Sequence, residues 1–258
     1  MISKHKPDKC AVCSASGAAS GAIEKRIVGG SSCGTNRQYH VQITSVVGKK
    51  ECAGSLLNTR WVITASHCGE QQVKVKIGLN NDVSFFKKIK YLFKDKKYEQ
   101  VIDVKQQFTH KSEEGQSHDI MLIRLNDDVK SPTINLPPVE CTRPEMSHQV
   151  QIGGLGFKAD SGKKAKAPSK LQCSSTDIKE CGEDDKPDAK YFSDETTTMC
   201  AFKPGVEVCF GDSGSGVEYN NLLYGIILNN PDDKCSGRLV MLDICKYRKW
   251  IDETMEKN

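Results

Sequence analysis

Gly211-Asp212-Ser213-Gly214-Ser215-Gly216 is the stretch that decides how the rest of the chain is understood. A nucleophilic serine needs a base within reach and backbone N–H groups aimed at the oxyanion it creates. A glycine ahead of the Asp-Ser pair lets the main chain turn tightly enough for two amides to point into one site, which makes Gly211 and Ser213 the candidate oxyanion donors. Alone, such a stretch is as consistent with a plain turn. Two others change the balance. Thr64-Ala65-Ser66-His67-Cys68 follows the apolar run Trp61–Thr64 and puts a histidine at a strand end beside a cysteine. His118-Asp119-Ile120-Met121-Leu122-Ile123 sets a carboxylate at the mouth of a buried strand. A lone histidine is more often structural, and an Asp before an apolar run is more often a strand-end residue. Together the three stretches supply base, orienting acid and nucleophile in the chain order His67, Asp119, Ser213, one of the known orders of a Ser-His-Asp triad.

Around these motifs the chain reads as short strands separated by turn signals. Val41–Val47, Gly54–Thr64, Val73–Gly78, Ile120–Leu125, Gln149–Gly153, Leu223–Leu228 and Leu239–Ile244 are β-rich or alternating, and only Tyr247–Glu256 suggests a helix. Many short strands with almost no helix predict an all-β sandwich or barrel, and 258 residues suffice for a sizeable core. No internal repeat is present. The composition, 37% apolar and 27% charged, is that of a globular protein. No window approaches 18 apolar residues in a row, so no membrane-spanning helix is expected. The net charge of +4 is spread over scattered lysines without interleaved aromatics, which argues against nucleic acid as a partner. The Lys-rich stretches Lys87–Lys97 and Lys158–Lys170 read as solvated loops, the second, with Gly162 and Pro168, open to proteolytic nicking.

Twelve cysteines, even in number and mostly far apart, point to disulfides and an oxidising compartment. Cys10-Ala-Val-Cys13 also has zinc-like spacing, but neither a second CxxC nor a histidine pair accompanies it, so no metal is expected. Met1 to Asp8 is polar and basic and lacks the apolar run of a signal peptide. Ser14–Ala22 is Ser, Ala and Gly, able to bury little, and residues 1–26 end in Lys25-Arg26 ahead of Ile27-Val28-Gly29-Gly30.

From Ile27 to Trp250, about 87% of the 258 residues, the chain resembles the trypsin/chymotrypsin-like serine peptidases. Ile27-Val28-Gly29-Gly30 resembles that family's mature N-terminus, and Lys25-Arg26 its activation cleavage site. TASHC and GDSGSG are close to its histidine and serine signatures. Cys245-Lys-Tyr247-Arg-Lys-Trp250 resembles its last strand turning into the terminal helix. The resemblance implies two packed six-stranded antiparallel β-barrels with a short C-terminal helix, and the active site in the cleft between them. It implies five disulfides: Cys33–Cys173, Cys52–Cys68, Cys141–Cys245, Cys181–Cys200 and Cys209–Cys235. Cys10 and Cys13 are left to pair locally or to hold residues 1–26 to something else.

The same resemblance makes residues 1–26 a pro-segment and 27–258 the peptidase domain of a secreted, monomeric zymogen. Cleavage after Arg26 would free an ammonium on Ile27 to pair with Asp212. Protein or peptide substrates and serine protease inhibitors are the implied partners, with no cofactor. Several positions depart from the family pattern. Counted from Ser213, the selectivity position falls on Glu207 in place of the usual Asp, an acid that favours Arg or Lys. Gly225-Ile-Ile-Leu228-Asn229-Asn230 stands where the family shows GIVSWG, replacing a hydroxyl that supports the triad aspartate with Leu228 and a pocket-wall glycine with Asn230. Counted back from Cys245, the other wall glycine becomes Leu239. Ser215-Gly216 replaces Gly-Pro, and no reason for that change is evident. The region from Asn80 to Lys90 is poor in acids, so the calcium site of some relatives is not expected. The pocket substitutions resemble those of inactivated, mite-type paralogues of parasitic arthropods. Two readings follow: an active endopeptidase of unusual specificity, or a peptidase fold that binds another protein without cleaving it.

Overall fold

The computed structural model describes residues 27, 29–80, 98–155, 170–185, 187–209, 211–228 and 236–258. The two Lys-rich stretches, the segment expected to be acid-poor beyond Asn80, residues 1–26, Asn229, Asn230 and Cys235 lie outside them, apart from Lys170.

Fourteen strands and one helix are formed among the described residues. In chain order the strands are β1 (Ser31–Ser32), β2 (His40–Ser45), β3 (Glu51–Leu56), β4 (Trp61–Thr64), β5 (Val73–Lys76), β6 (Glu99–Ile102), β7 (Gln107–Lys111), β8 (Ser117–Arg124), β9 (Gln149–Gly154), β10 (Gln172–Lys179), β11 (Thr198–Phe202), β12 (Gly216–Tyr219), β13 (Leu222–Ile227) and β14 (Arg238–Asp243). Helix α1 spans Arg248–Lys257. Two-residue alternation makes several of them: Val41 and Ile43 of β2, and Val73 and Val75 of β5, are buried while Lys74 and Lys76 reach towards solvent. In β8 the run from His118 to Ile123 is buried without alternation, so both of its faces are covered.

The strands form two antiparallel sheets. One runs in the order β6-β5-β2-β3-β4-β8-β7. The other runs β1-β10-β11-β14-β13-β12-β9, and a further ladder between β9 and β10 closes β9 to β14 into a six-stranded barrel. The two expected barrels are thus one closed barrel and one curled half-barrel. The edges of the curled sheet, β6 and β7, are consecutive in the chain, separated by Asp103 and the 3-10 turn Val104–Gln106. The single run expected at Gly54–Thr64 is a hairpin. Asn58 Oδ1 accepts the backbone N–H groups of Arg60 (2.8 Å) and Trp61 (2.9 Å), which reverses the chain there.

The halves are tied crosswise. The core of the curled sheet takes in Leu223, Ile226, Leu228, Leu242 and Ile244 from the other half, together with Tyr247 and Ile251 at the C-terminal end. In the opposite direction, β1 pairs with β10, and Ile27 joins the core of the closed barrel. Arg37, buried ahead of β2, donates to Gly216 O (2.8 Å) and Gln151 O (2.6 Å) and lies 3.4 Å from the Glu218 carboxylate. Four of the five expected disulfides lie among the described residues: Cys33–Cys173, Cys52–Cys68, Cys141–Cys245 and Cys181–Cys200. Cys209 is also disulfide-bonded, and its expected partner Cys235 falls outside the described residues. This bridging fits an extracellular protein.

Candidate active site

The 3-10 turn Ser66–Cys68 follows β4 directly and presents His67 beside the start of β8. The Cys52–Cys68 disulfide holds this turn to β3, and Ser66 Oγ donates to His118 O (3.1 Å) on β8. Asp119 consequently faces His67 twice. His67 Nδ1 is 2.7 Å from Asp119 Oδ2, and the backbone N–H of His67 donates to Asp119 Oδ1 at 2.9 Å. Among the described residues both of the carboxylate's hydrogen bonds come from His67. The side chains are 5% and 3% exposed, so the pair works in a medium of low polarity, where its attraction is strong. With Nδ1 engaged, Nε2 is the ring nitrogen left over; it is buried and makes no hydrogen bond.

Ser213 lies in a turn between the closed barrel and the curled sheet. Its carbonyl accepts the N–H of Ala53 (2.8 Å), and Gly214 N donates to Ile227 O (2.8 Å). Glycine is required on both sides. Gly211 has φ 92° and Gly214 φ 82°, and a Cβ at Gly214 would lie 2.2 Å from Ala53 O. Thr64 Oγ1 donates to Ala53 O (2.7 Å), which links the Ser213 turn back to the strand that leads to His67. Asp212, fully buried, accepts the N–H of Cys209 at 2.8 Å.

Ile27 is 2% exposed among Val206, Val208, Ile227, Leu239 and Met241 in the intact chain. Leu239, on β14 opposite Ala201, is 3% exposed in the same cluster. Val208 makes reciprocal 2.9 Å backbone bonds with Ser236, and this bridge carries the half-buried Glu207. Glu207 and Leu239 therefore belong to neighbouring parts of one barrel. Leu228 lies instead in the core shared with Ile120 of β8 and Tyr247, one residue along from Asp119.

Residues that motif reading passed over also shape the site. Lys50 Nζ donates to His67 O (3.1 Å). Burial holds its ammonium below the usual lysine range, opposed by Asp119 and Asp188. Tyr191 is 4% exposed with Glu70, Asp119 and Asp188 near its hydroxyl, and burial first, then these acids, push its ionisation far up. His118 Nδ1 lies 2.8 Å from Tyr247 Oη. Ser66 and His118 had a signal to find, their places within TASHC and the Asp119 run; Lys50 and Tyr191 come from loops without a motif. Cys52, His67 and Cys68 lie close together, but both sulfurs are consumed in their disulfide, so the trio offers no metal site.

The comparisons agree with this architecture. The family model described as Trypsin matches residues 27–251. Human Kallikrein-14 is 30% identical over 245 residues, covering 90% of this chain and 85% of its own. Human Serine protease 1 is 31% identical, covering 91% and 92%, and pig Trypsin 30% identical, covering 91% and 98%. Among solved structures, neuropsin, a serine protease expressed in the limbic system of mouse brain, superposes with a TM-score of 0.64 at 27% identity, covering 88% of this chain and 98% of its own. With its half-barrel, closed barrel and His67–Asp119 pair, the chain belongs to the trypsin family.

Proposed function

We propose that this chain is a secreted serine endopeptidase made as a zymogen, with residues 1–26 as pro-segment and 27–258 as the peptidase domain. The observation that carries the reading is the double hydrogen bond from His67 to Asp119, which fixes the imidazole so that Nε2 serves as base. Ser213 Oγ attacks the scissile carbonyl carbon and gives its proton to Nε2. The N–H groups of Gly211 and Ser213 hold the oxyanion. As the tetrahedral species collapses, the C–N bond breaks and Nε2 returns the proton to the leaving amine. Water, deprotonated by the same nitrogen, then hydrolyses the acyl-enzyme and restores Ser213.

Activation follows from Asp212 and Ile27. In the intact chain the nitrogen of Ile27 is an amide; cutting after Arg26 makes it an ammonium, which pairs with the fully buried Asp212 as the family resemblance implies. Glu207 then selects substrates with Arg or Lys. The test is to compare an Arg26→Gln precursor with protein cut after Arg26, using a small serine-reactive phosphonate. Equal labelling of the two forms would overturn the activation scheme, and no labelling of the cut form would overturn the peptidase reading.

A second reading, a binding module of peptidase fold that cleaves nothing, draws on Leu239, a buried side chain that the count back from Cys245 sets at the family's pocket-wall glycine. Labelling of Ser213 without cleavage of any peptide in a panel favours a working triad behind a filled pocket.

A further inference from the structure

The segment 188–192 lies across the His67–Asp119 pair and is anchored on both sides of it. It is a preformed turn: Lys190 N donates to Asp188 Oδ1 (2.9 Å), and Tyr191 N to Asp188 O (3.0 Å). On the Asp119 side, Phe192 N donates to Ser117 O (2.8 Å), Phe192 bridges His118, and the two rings lie 4.9 Å apart. On the His67 side, Lys190 pairs with Glu70, three residues beyond the histidine, while its ammonium lies 5.1 Å from the centre of the Tyr191 ring. Tyr191 sits between the anchors, almost wholly buried, with Asp119 and Glu70 near its hydroxyl. His67 Nε2, the atom that must meet a substrate's leaving amine, is buried and unbonded.

We propose that residues 188–192 are an autoinhibitory strap, latched by Lys190 and Glu70 and holding Tyr191 where a peptide must lie to reach His67. The proposal rests on the peptidase reading of the site. The anchors differ in kind. Phe192 is fixed by a backbone bond and ring packing. Lys190 and Glu70 are 60% and 35% exposed, and an exposed ion pair of this sort is weak and screened by salt. The Lys190 end is therefore the one that opens, and Tyr191 swings out about Phe192. Holding the long Lys190 and Glu70 side chains in one geometry costs conformational entropy, which opposes closure. The closed state is thus only marginally favoured, and a substrate that binds well can displace it.

The test uses full-length protein cut after Arg26, with Lys190→Ala and Glu70→Gln, both surface changes that leave the core intact. Two rates are measured: nitration of Tyr191 by tetranitromethane, located by peptide mapping, and reaction of Ser213 with a tripeptide phosphonate. Both should rise in either variant, by up to about fivefold, the ceiling for losing an exposed ion pair. High salt should raise both in the parent and change neither in the variants. A small fluorophosphonate, applied in parallel, reports on the triad alone. If it labels every form while the tripeptide reagent gains nothing from the variants, the strap is overturned and the peptidase stands. Unchanged nitration of Tyr191 also overturns the strap. If the small reagent labels nothing, the peptidase reading fails, and nitration still reports whether the segment opens.

Discussion

A Cβ on Gly154 would lie 1.8 Å from Asp212 Oδ1, so the last residue of β9 is glycine because a buried carboxylate occupies the space its side chain would take. The same carboxylate holds Cys209 N, at the start of the turn that leads to Ser213. Gly154→Ala should push Asp212 off that bond and distort the turn. Overpacking of this kind costs about 1–3 kcal/mol, so labelling of Ser213 by a small phosphonate should slow about tenfold or more. An unchanged labelling rate in Gly154→Ala would show that Asp212 moves without consequence for the nucleophile.

Asp119 accepts from His67 through both ring and backbone. Asp119→Asn keeps an acceptor for the backbone N–H but offers the ring an amide in place of a carboxylate, which favours the wrong tautomer. Turnover should fall by about 10⁴, with only a small change in melting temperature. Comparing kcat and thermal unfolding in one preparation separates the two; a large drop in both would make Asp119 structural.

His40 predicts acid lability. Burial, then the Arg37 guanidinium, lowers its pKa to about 3, and neither ring nitrogen has a hydrogen-bond partner. The unfolded chain binds a proton there near pH 6.5 and the folded one does not. Stability from this group is therefore complete above about pH 6.5 and lost as pH falls towards 3, at roughly 1.4 kcal/mol per pH unit within that window. His40→Leu removes the titration, and no hydrogen bond is lost with the imidazole. Its acid-unfolding midpoint, followed by near-ultraviolet circular dichroism, should move to lower pH; a midpoint identical to the parent's would rule His40 out as the cause.

Leu239 is packed against Ile27 and Met241, so Leu239→Gly should lower stability by about 2–5 kcal/mol. If it also blocks the substrate pocket, Leu239→Gly together with Asn230→Gly should raise cleavage of Arg- and Lys-containing peptides despite the lower melting point. Reduced stability with no gain in cleavage would make Leu239 a core residue and nothing more.

The parts of this molecule legible in the sequence are those where chemistry or alternation forces a residue type. TASHC, the Asp119 strand and GDSG are local necessities, and the structure brings His67 and Asp119 to 2.7 Å. The buried run of β8 and the alternation of β2 and β5 were equally open to reading. β10 was not. Its sequence QCSSTDIK is half-buried over its first four residues, so it alternates little, and it is a strand because β9, β11 and β1 surround it. Tyr191 and Lys50 escaped notice for a related reason: each reaches the site from a loop outside the motifs, Tyr191 from far along the chain, and no local pattern records that approach.

The crosswise tying of the two halves has a consequence for how the protein is made. Ile27, β1 and Arg37 leave the ribosome early, yet their partners lie on β9, β10, β12 and β14, while Tyr247 and Ile251, which complete the core of the first sheet, leave it much later. Neither half can finish during synthesis. The nascent chain must wait, partly collapsed, until Ile251 has emerged, and long-range contacts of this kind fold slowly. A ribosome stalled shortly before Tyr247 should hold a chain that proteases still digest, and emergence of residues 247–251 should make it resistant in one step.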